Sequence, residues 1–271
     1  MAAEESKIKN VAVASNDSGT GSGKDEEHNK NETGIDLGIS LDKLSLGPKK
    51  KLLVIPLGGL IVHRAHVDDR PTHPKSRRPD FSYGNFNNYK RPYCEGFLKF
   101  CFERFEVGLW SSALEHNIQG VLNHVTGGLK SKFLFIMDQK ECTDTGFMCL
   151  KNKNKPLFLK QLKCIWEKYP NGEYSSSNTL LITGPEKALL NPPNTAISLK
   201  EYDFMNRADD YLGPNGELRA FLNGLAEAKD VQSYVKDHPF GEPAITPSHS
   251  DWDYYSKIIR FFDKTVTTGD E

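Results

Sequence analysis

The chain has 271 residues, with 35 Lys and Arg against 36 Asp and Glu, which gives a formal net charge of −1 at pH 7. This balance gives no bulk attraction to nucleic acid or to an anionic membrane surface, so we predict neither as a partner. The length accommodates one domain of about 200 residues flanked by tails.

Residues 1–48 are rich in Ser, Gly, Asn and charged side chains and contain few large apolar residues. Such a segment cannot bury enough apolar surface to offset the entropy of ordering, so we predict a disordered tail over 1–48. Acidic residues precede the first arginine, Arg64, whereas a mitochondrial presequence is rich in arginine and poor in acid. We therefore predict a nuclear or cytoplasmic protein, and Pro48-Lys49-Lys50-Lys51 resembles a basic nuclear-import segment.

The folded domain is predicted over 49–240 and begins with an apolar run. Leu52–Ile55 has the length and composition of a buried strand, and Pro56 and Gly58 end it. The apolar stretch as far as Val62 is too short for a membrane span and contains proline and glycine, so no span is predicted. Polar, proline-containing residues follow, and we predict a long loop, or flap, over 67–89.

Strands and helices then alternate along the chain, as judged from short apolar runs and from apolar residues at helical spacing. The predicted strands are 107–110, 133–137, 180–183 and 196–199, and the predicted helices begin near Pro92, Leu114, Phe158, Leu218 and Asp230. Residues 142–155 are predicted to form an irregular hairpin. Residues 241–271 are predicted to form a tail with a docked helix over 251–262.

This alternation predicts an α/β fold, with a Rossmann-like parallel sheet and helices on both faces. Ligands bind such sheets beyond the carboxyl ends of the strands, where Pro56, Ser111 and Thr183 are expected to meet. The cysteine count is five, an odd number, and no two cysteines have C-x-x-C spacing. Reduced thiols are therefore predicted rather than disulfides or a zinc site.

Arg91-Pro92-Tyr93, Phe97-Leu98 and Trp110-Ser111-Ser112 match the pattern RPg…FL…WTaS. In this pattern the chain resembles the haloacid-dehalogenase-like CTD-phosphatase family, which has the FCP-type homology domain. Leu157–Leu162 and Thr179–Ile182 resemble two later family segments, and Asn191-Pro192-Pro193 resembles the plant members. The resemblance implies the haloacid-dehalogenase version of the Rossmann-like fold, with a flap insertion.

The resemblance also implies a catalytic site that this chain does not carry. The family ends its first strand in Asp-x-Asp, where the first Asp attacks phosphorus and both gather Mg²⁺, but Pro56 and Gly58 hold these positions. Thr183 and Gly184 stand where the family has further metal-binding carboxylates. Proline and glycine side chains cannot attack phosphorus, carry a proton or bind a metal. We predict no catalytic residue, no metal site and no cofactor, with Mg²⁺ expected only if activity is retained.

Three other residues have side chains that can donate hydrogen bonds to a phosphate. The resemblance implies that Ser111, with Ser112 beside it, contacts phosphoryl oxygens, and that Lys160 neutralises the phosphate. The sequence alone leaves two alternatives open, because Ser111 suits a helix cap and Lys160 suits a solvated helix face. We predict Ser111, Ser112 and Lys160 as candidate phosphate-binding residues.

The functional prediction is a catalytically degenerate CTD-phosphatase-like protein that binds a phosphopeptide or a protein partner. One alternative is an active phosphoprotein (Ser/Thr) phosphatase with displaced chemistry, which would use Asp138 or a flap carboxylate, Asp68 or Asp69. The other alternative is a protein-import subunit resembling the mitochondrial presequence-translocase receptor. That receptor shares the domain and also has a degraded first motif.

Overall fold

The computed structural model describes residues 49–68, 77–169 and 172–267, with side chains described as far as Asp263. The described residues lie in one compact unit. The predicted tail over 1–48 and the flap residue Asp69 lie outside the described residues. Within the described ranges, no helix is long and apolar enough to cross a lipid bilayer.

Ten strands, six α-helices and three short 3₁₀-helices make up the regular structure of these residues, and the strands and α-helices are numbered here. In chain order they are β1 (Leu52–Ile55), β2 (Val62–His66), β3 (Phe81–Tyr83), β4 (Phe86–Lys90), α1 (Cys94–Arg104), β5 (Glu106–Trp110), α2 (Glu115–Val125), β6 (Phe135–Met137), β7 (Thr143–Met148), β8 (Pro156–Leu159), α3 (Lys163–Lys168), β9 (Thr179–Thr183), β10 (Ala196–Ser198), α4 (Glu217–Glu227), α5 (Val231–Asp237) and α6 (Trp252–Thr267).

Five of the strands form a parallel sheet in the order β10-β9-β1-β5-β6. Strand β1 lies at its centre, and all four of its residues are fully buried. Leu53 and Ile55 pack in a cluster with residues of α1, α2, α4 and α5, whereas Leu52 and Val54 pack with residues of α3. Helices therefore cover both faces, which confirms the predicted α/β fold.

The predicted flap contains regular structure. Strands β2, β4 and β3 form a separate antiparallel sheet in that order, so the prediction of a loop over 67–89 is wrong for residues 81–83 and 86–89. The polar residues Asn87 and Asn88 hide the strand pattern in the sequence. Asn88 is nevertheless fully buried, and its side-chain amide donates to the carbonyl of Phe86 at 3.0 Å.

Strands β7 and β8 form a separate antiparallel hairpin, which lies between β6 and β9 in chain order. The prediction of a helix from Phe158 is wrong, because Phe158 and Leu159 lie in β8, paired with Asp144 and Thr143, and α3 begins only at Lys163. Cross-strand pairing here overrides the helical spacing of the apolar residues. The outer helix α6 covers the hairpin, in a cluster that contains Leu157, Leu159, Tyr255 and Ile258.

Candidate functional site

A cleft of about 690 Å³ opens at the carboxyl ends of the neighbouring strands β1 and β9. It is lined by all four positions where the family resemblance places carboxylates, together with one candidate phosphate ligand. These residues are Pro56, Gly58, Thr183, Gly184 and Lys160. Small-molecule sites have roughly 300–1,000 Å³, so the cleft is large enough for a ligand of several functional groups.

The turn after β1 forms the floor of the cleft. Gly59 has a φ of +79°, a backbone conformation that favours glycine, and its N–H donates to the carbonyl of Val62 at 2.9 Å. Gly58 differs from Gly59, because a Cβ added there would meet no heavy atom within 4 Å. The turn therefore requires glycine at 59, while the space at 58 would accept a larger side chain.

Lys160 follows the end of β8 and is held there by Asn191. The Asn191 amide donates to the carbonyl of Lys160 at 2.8 Å, and the Asn191 side-chain oxygen accepts from the N–H of Leu162 at 2.8 Å. The Lys160 side chain is only 2% exposed, and its Nζ donates to the Trp110 carbonyl at 2.7 Å. The alternative that Lys160 lies on a solvated helix face is therefore wrong.

Few polar contacts replace the water that the Lys160 ammonium loses on burial. Burial, and secondly the nearby charge of Lys187, lower the pKa of Lys160 to about 7. An ammonium group has three N–H donors. Among the described residues, the Trp110 carbonyl is its only hydrogen-bond acceptor, and no carboxylate lies within ion-pair distance. Lys160 can therefore donate to a ligand in the cleft.

The rest of the cleft carries charges of both signs. Its lining includes four lysines and four glutamates: Lys151, Lys160, Lys187, Lys200, Glu186, Glu201, Glu217 and Glu242. Two exposed ion pairs lie among them, Lys151–Glu242 at 3.6 Å and Lys200–Glu217 at 3.7 Å. Because the signs balance, the cleft has no strong overall field, and direct contact with Lys160 is what would favour an anion.

Ser111 and Ser112 lie beside the cleft rather than in its lining. The N–H of Ser111 donates to the Met137 carbonyl at 3.0 Å, and its Oγ accepts from the N–H of Ala113 at 3.2 Å. The cap position of α2 is Leu114, so the alternative that Ser111 caps this helix is wrong. Among the described residues that line the cleft, neither serine is present. Ser111 is, however, next in sequence to Trp110, whose carbonyl binds Lys160.

The carboxylates considered as replacement nucleophiles make other contacts. Asp138 is 7% exposed, and its Oδ1 accepts from the N–H of Lys140 at 2.6 Å. The N–H of Asp138 donates to the side chain of Glu141, which completes a capping box on the short 3₁₀-helix Gln139–Glu141. Asp68 is exposed and lies 3.5 Å from the ring of His66. Neither aspartate is among the described residues that line the cleft.

The residues at the cleft floor do not fit a magnesium ion. Mg²⁺ is usually held by carboxylates together with other oxygen ligands, whereas Pro56, Gly58 and Gly184 have no side-chain oxygen and Thr183 has a single hydroxyl. The described residues also contain no group of three or more His, Cys, Asp or Glu side chains that could hold a metal ion.

The nearby Cys142 thiol is not an activated nucleophile, because burial raises its pKa.

One wall of the cleft is not apparent in the sequence. It is formed by residues 239–242, which follow α5. Lys200 and Tyr211, from the connection between β10 and α4, also line the cleft. Gly241 is the only sequence signal, since its φ of +72° favours glycine and a Cβ there would lie 2.6 Å from the Ser198 carbonyl oxygen. Glycine is a common residue in the connection between two helices, so the sequence alone does not indicate that Gly241 contacts β10.

Comparisons with known proteins found a family model and similar relatives. The family model described as NLI interacting factor-like phosphatase matches residues 51–232. An uncharacterized FCP1 homology domain-containing protein of Schizosaccharomyces pombe is 23% identical over 202 residues, covering 70% of this chain and 78% of its own length. A CTD phosphatase-like protein of Invertebrate iridescent virus 6 is 23% identical over 155 residues, covering 55% of this chain and 83% of its own length.

Two solved structures are also similar to the chain. A fission yeast RNA polymerase II CTD phosphatase, Fcp1, in a variant bound to beryllium fluoride, has a TM-score of 0.39 at 13% identity. A second Fcp1 structure has a TM-score of 0.36 at 14% identity. Each match covers 78% of this chain but only 62% of the solved chain.

Proposed function

The chain belongs to the NLI interacting factor-like phosphatase family, and from this premise we propose that it is a catalytically degenerate member that binds a phosphopeptide or a phosphorylated protein. The observation that carries the proposal is the state of Lys160. Its buried ammonium opens onto a cleft in which Pro56 and Gly58 hold the carboxylate positions.

A phosphate supplies what the Lys160 environment lacks. A buried ammonium without a counter-ion is costly, and here its one partner is a neutral carbonyl. A phosphoserine carries a charge of about −1.5 to −2 and three strong acceptor oxygens. A hydrogen bond to a charged group contributes about 1.5–3 kcal/mol. Contact with Lys160 would therefore contribute substantially to the affinity for a phosphorylated ligand.

Hydrolysis is not expected, because Pro56 stands at the position of the family's nucleophile and its side chain cannot attack phosphorus. Losing the nucleophile of a covalent mechanism can cost roughly a million-fold in rate, by the example of subtilisin. That corresponds to about 8 kcal/mol of barrier. Lys160 cannot recover this by charge stabilisation alone, since Pro56 and Gly58 supply no carboxylate at the end of β1.

Calorimetric titration of phosphoserine and unphosphorylated peptides tests the binding proposal. We expect the phosphorylated peptide to bind, and Lys160→Ala to weaken its binding by about 10- to 100-fold, the range for a charged hydrogen bond. Lys163→Ala is the matched control, because this lysine lies three residues away on the exposed surface of α3. Equal affinity for both peptides, or unchanged affinity in Lys160→Ala, would contradict the proposal.

Hydrolysis of an aryl phosphate with Mg²⁺ tests the absence of catalysis. We expect no turnover from the natural protein. The variant Pro56→Asp/Gly58→Asp introduces carboxylates at these two positions, and position 58 has open space for a larger side chain. Any turnover by this variant would support the view that the cleft keeps the geometry of a phosphatase site. Mg²⁺-dependent turnover by the natural protein would overturn the proposal, and its loss in Asp138→Asn would establish the alternative of displaced chemistry.

The place of action is proposed to be the nucleus or the cytoplasm. The proposal rests on the basic run at 48–51, which resembles a nuclear-import segment. Fluorescent tagging of the full chain checks it, and a mitochondrial signal would instead favour the protein-import alternative.

A further inference from the structure

A second cavity of about 250 Å³ adjoins the cleft. Four residues line both spaces, namely Thr183, Pro185, Ser198 and Glu242. The two cavities are therefore adjacent to each other beside β9 and β10. An extended ligand bound at Lys160 can therefore contact both cavities.

The second cavity, which we call the apolar groove, differs chemically from the cleft. Aliphatic and proline side chains dominate its lining: Leu189, Pro192, Pro193, Ile197, Ala244 and Ile245. Among the described residues that line it, Glu242 is the only charged one, whereas the cleft lining has eight charged residues. The cleft thus suits a charged group, and the apolar groove suits an aliphatic side chain.

Residues 239–246, the C-terminal wall, border both spaces and lie beyond the region 51–232 that matches the family. The wall is anchored on both sides. Phe240 packs against Phe221 of α4, with ring centroids 4.7 Å apart, and Ile245 packs with the cluster that joins α6 to the β7–β8 hairpin. Gly241 lies directly against the carbonyl of Ser198 in β10. These contacts hold the wall in a defined position.

We propose that the cleft and the apolar groove together select phosphopeptides that carry an aliphatic residue close in sequence to the phosphorylated residue, and that the C-terminal wall provides this selectivity. The inference rests on the proposed function, because the phosphate is taken to bind at Lys160. It adds the class of peptide, and it assigns the preference to a part of this chain that the family match does not include.

A peptide series tests the preference. The probes are phosphoserine peptides on a Gly/Ser background, each with one leucine at one of the three positions before or after the phosphoserine, measured by fluorescence anisotropy. Full burial of a leucine side chain predicts about tenfold or tighter binding for at least one leucine position. The background peptide reports phosphate binding alone.

Ala244→Trp fills the apolar groove from an exposed position of the C-terminal wall. We expect this variant to lose the leucine preference, to less than about twofold, and to bind the background peptide as the natural protein does. Ser248→Trp is the matched control, an exposed residue of the same connection outside the described groove lining. Thermal melts report that both variants are folded.

The outcomes separate the inference from the proposed function. Binding of the background peptide without any leucine preference in the natural protein would overturn the inference and leave the proposed function standing. A leucine preference that persists in Ala244→Trp would also overturn the role of the groove. Failure of every phosphopeptide to bind the natural protein would overturn both.

Discussion

At the residue scale, burial controls the charge of Lys160. The unfolded chain has an ordinary lysine, while burial lowers the folded-state pKa to about 7. Between these two values the unfolded chain binds more protons than the folded chain, so the free energy of unfolding rises with pH. The cost of the buried ammonium is greatest below about pH 7 and disappears as pH approaches the unfolded value.

Lys160→Met should reveal this cost as a pH dependence. Between pH 7 and about 10, lowering the pH should decrease the free energy of unfolding of the natural protein relative to that of the variant. The decrease should be up to about 1.4 kcal/mol per pH unit. Urea unfolding of both proteins at pH 7, 8 and 9 measures it. The exposed Lys163→Met control should change stability equally at every pH. A constant difference for Lys160→Met would show that the ammonium is not desolvated.

Tyr93 is strained at the N-cap of α1. It has a φ of 63° and a ψ of 6°, in the left-handed region, and its side chain is exposed. That conformation costs an L-residue about 1–2 kcal/mol, and the family pattern has glycine at this position. We expect Tyr93→Gly to be more stable to urea than Tyr93→Ala by about 1 kcal/mol. The two variants lose the same ring, and equal stability would argue against backbone strain.

At the element scale, α6 holds the β7–β8 hairpin in place. Ile258 is fully buried with Leu157 and Leu159 of β8, and the hydroxyl of Tyr254 donates to the carbonyl of Met148. Because Lys160 follows β8 directly, the helix indirectly stabilises one side of the cleft.

Ile258→Ala should therefore destabilise the protein by about 2–4 kcal/mol, through lost apolar burial and the cavity that remains. Urea unfolding measures the total, and amide exchange in β7 and β8 should quicken more than exchange in β1. Lys257→Ala, an exposed neighbour on the same helix, should stay within about 0.5 kcal/mol. Equal exchange in β8 for both variants would show that α6 does not support the hairpin.

At the scale of the whole molecule, the ion pair Arg91–Asp209 ties distant segments together. Arg91 is 1% exposed, and two of its nitrogens donate to the two carboxylate oxygens of Asp209 at 2.9 Å each. A further nitrogen donates to the Lys200 carbonyl at 2.9 Å. The pair therefore joins the start of α1 to the connection that follows β10 and borders the cleft.

A double-mutant cycle measures this coupling. Arg91→Met should cost about 3–5 kcal/mol, because it leaves the buried Asp209 without its partner. Arg91→Met/Asp209→Leu should cost less than the sum of the two single variants, since no uncompensated charge remains. Urea unfolding of the four proteins provides the values, and simple additivity would contradict the coupling.

The parallel core was largely predictable from the sequence. The runs at 52–55, 107–110 and 180–183 are short and apolar. Because their own residues indicate a buried strand, they predict β1, β5 and β9 closely. Once these strands are parallel, their carboxyl ends share one edge of the sheet, and the meeting of Pro56 and Thr183 follows. The strand β8 was not predictable, because pairing with β7 decided it rather than its own residue spacing.

The sequence by itself determined that positions 56, 58, 183 and 184 carry no carboxylate, because residue identity settles that point without any structure. Only the tertiary structure decided which lysine is buried at the cleft. Several lysines lie between 151 and 168, and burial cannot be read from such a run. Lys160 is singled out because the Asn191 side chain clamps its backbone and the Trp110 carbonyl accepts its ammonium, contacts that join residues distant in sequence.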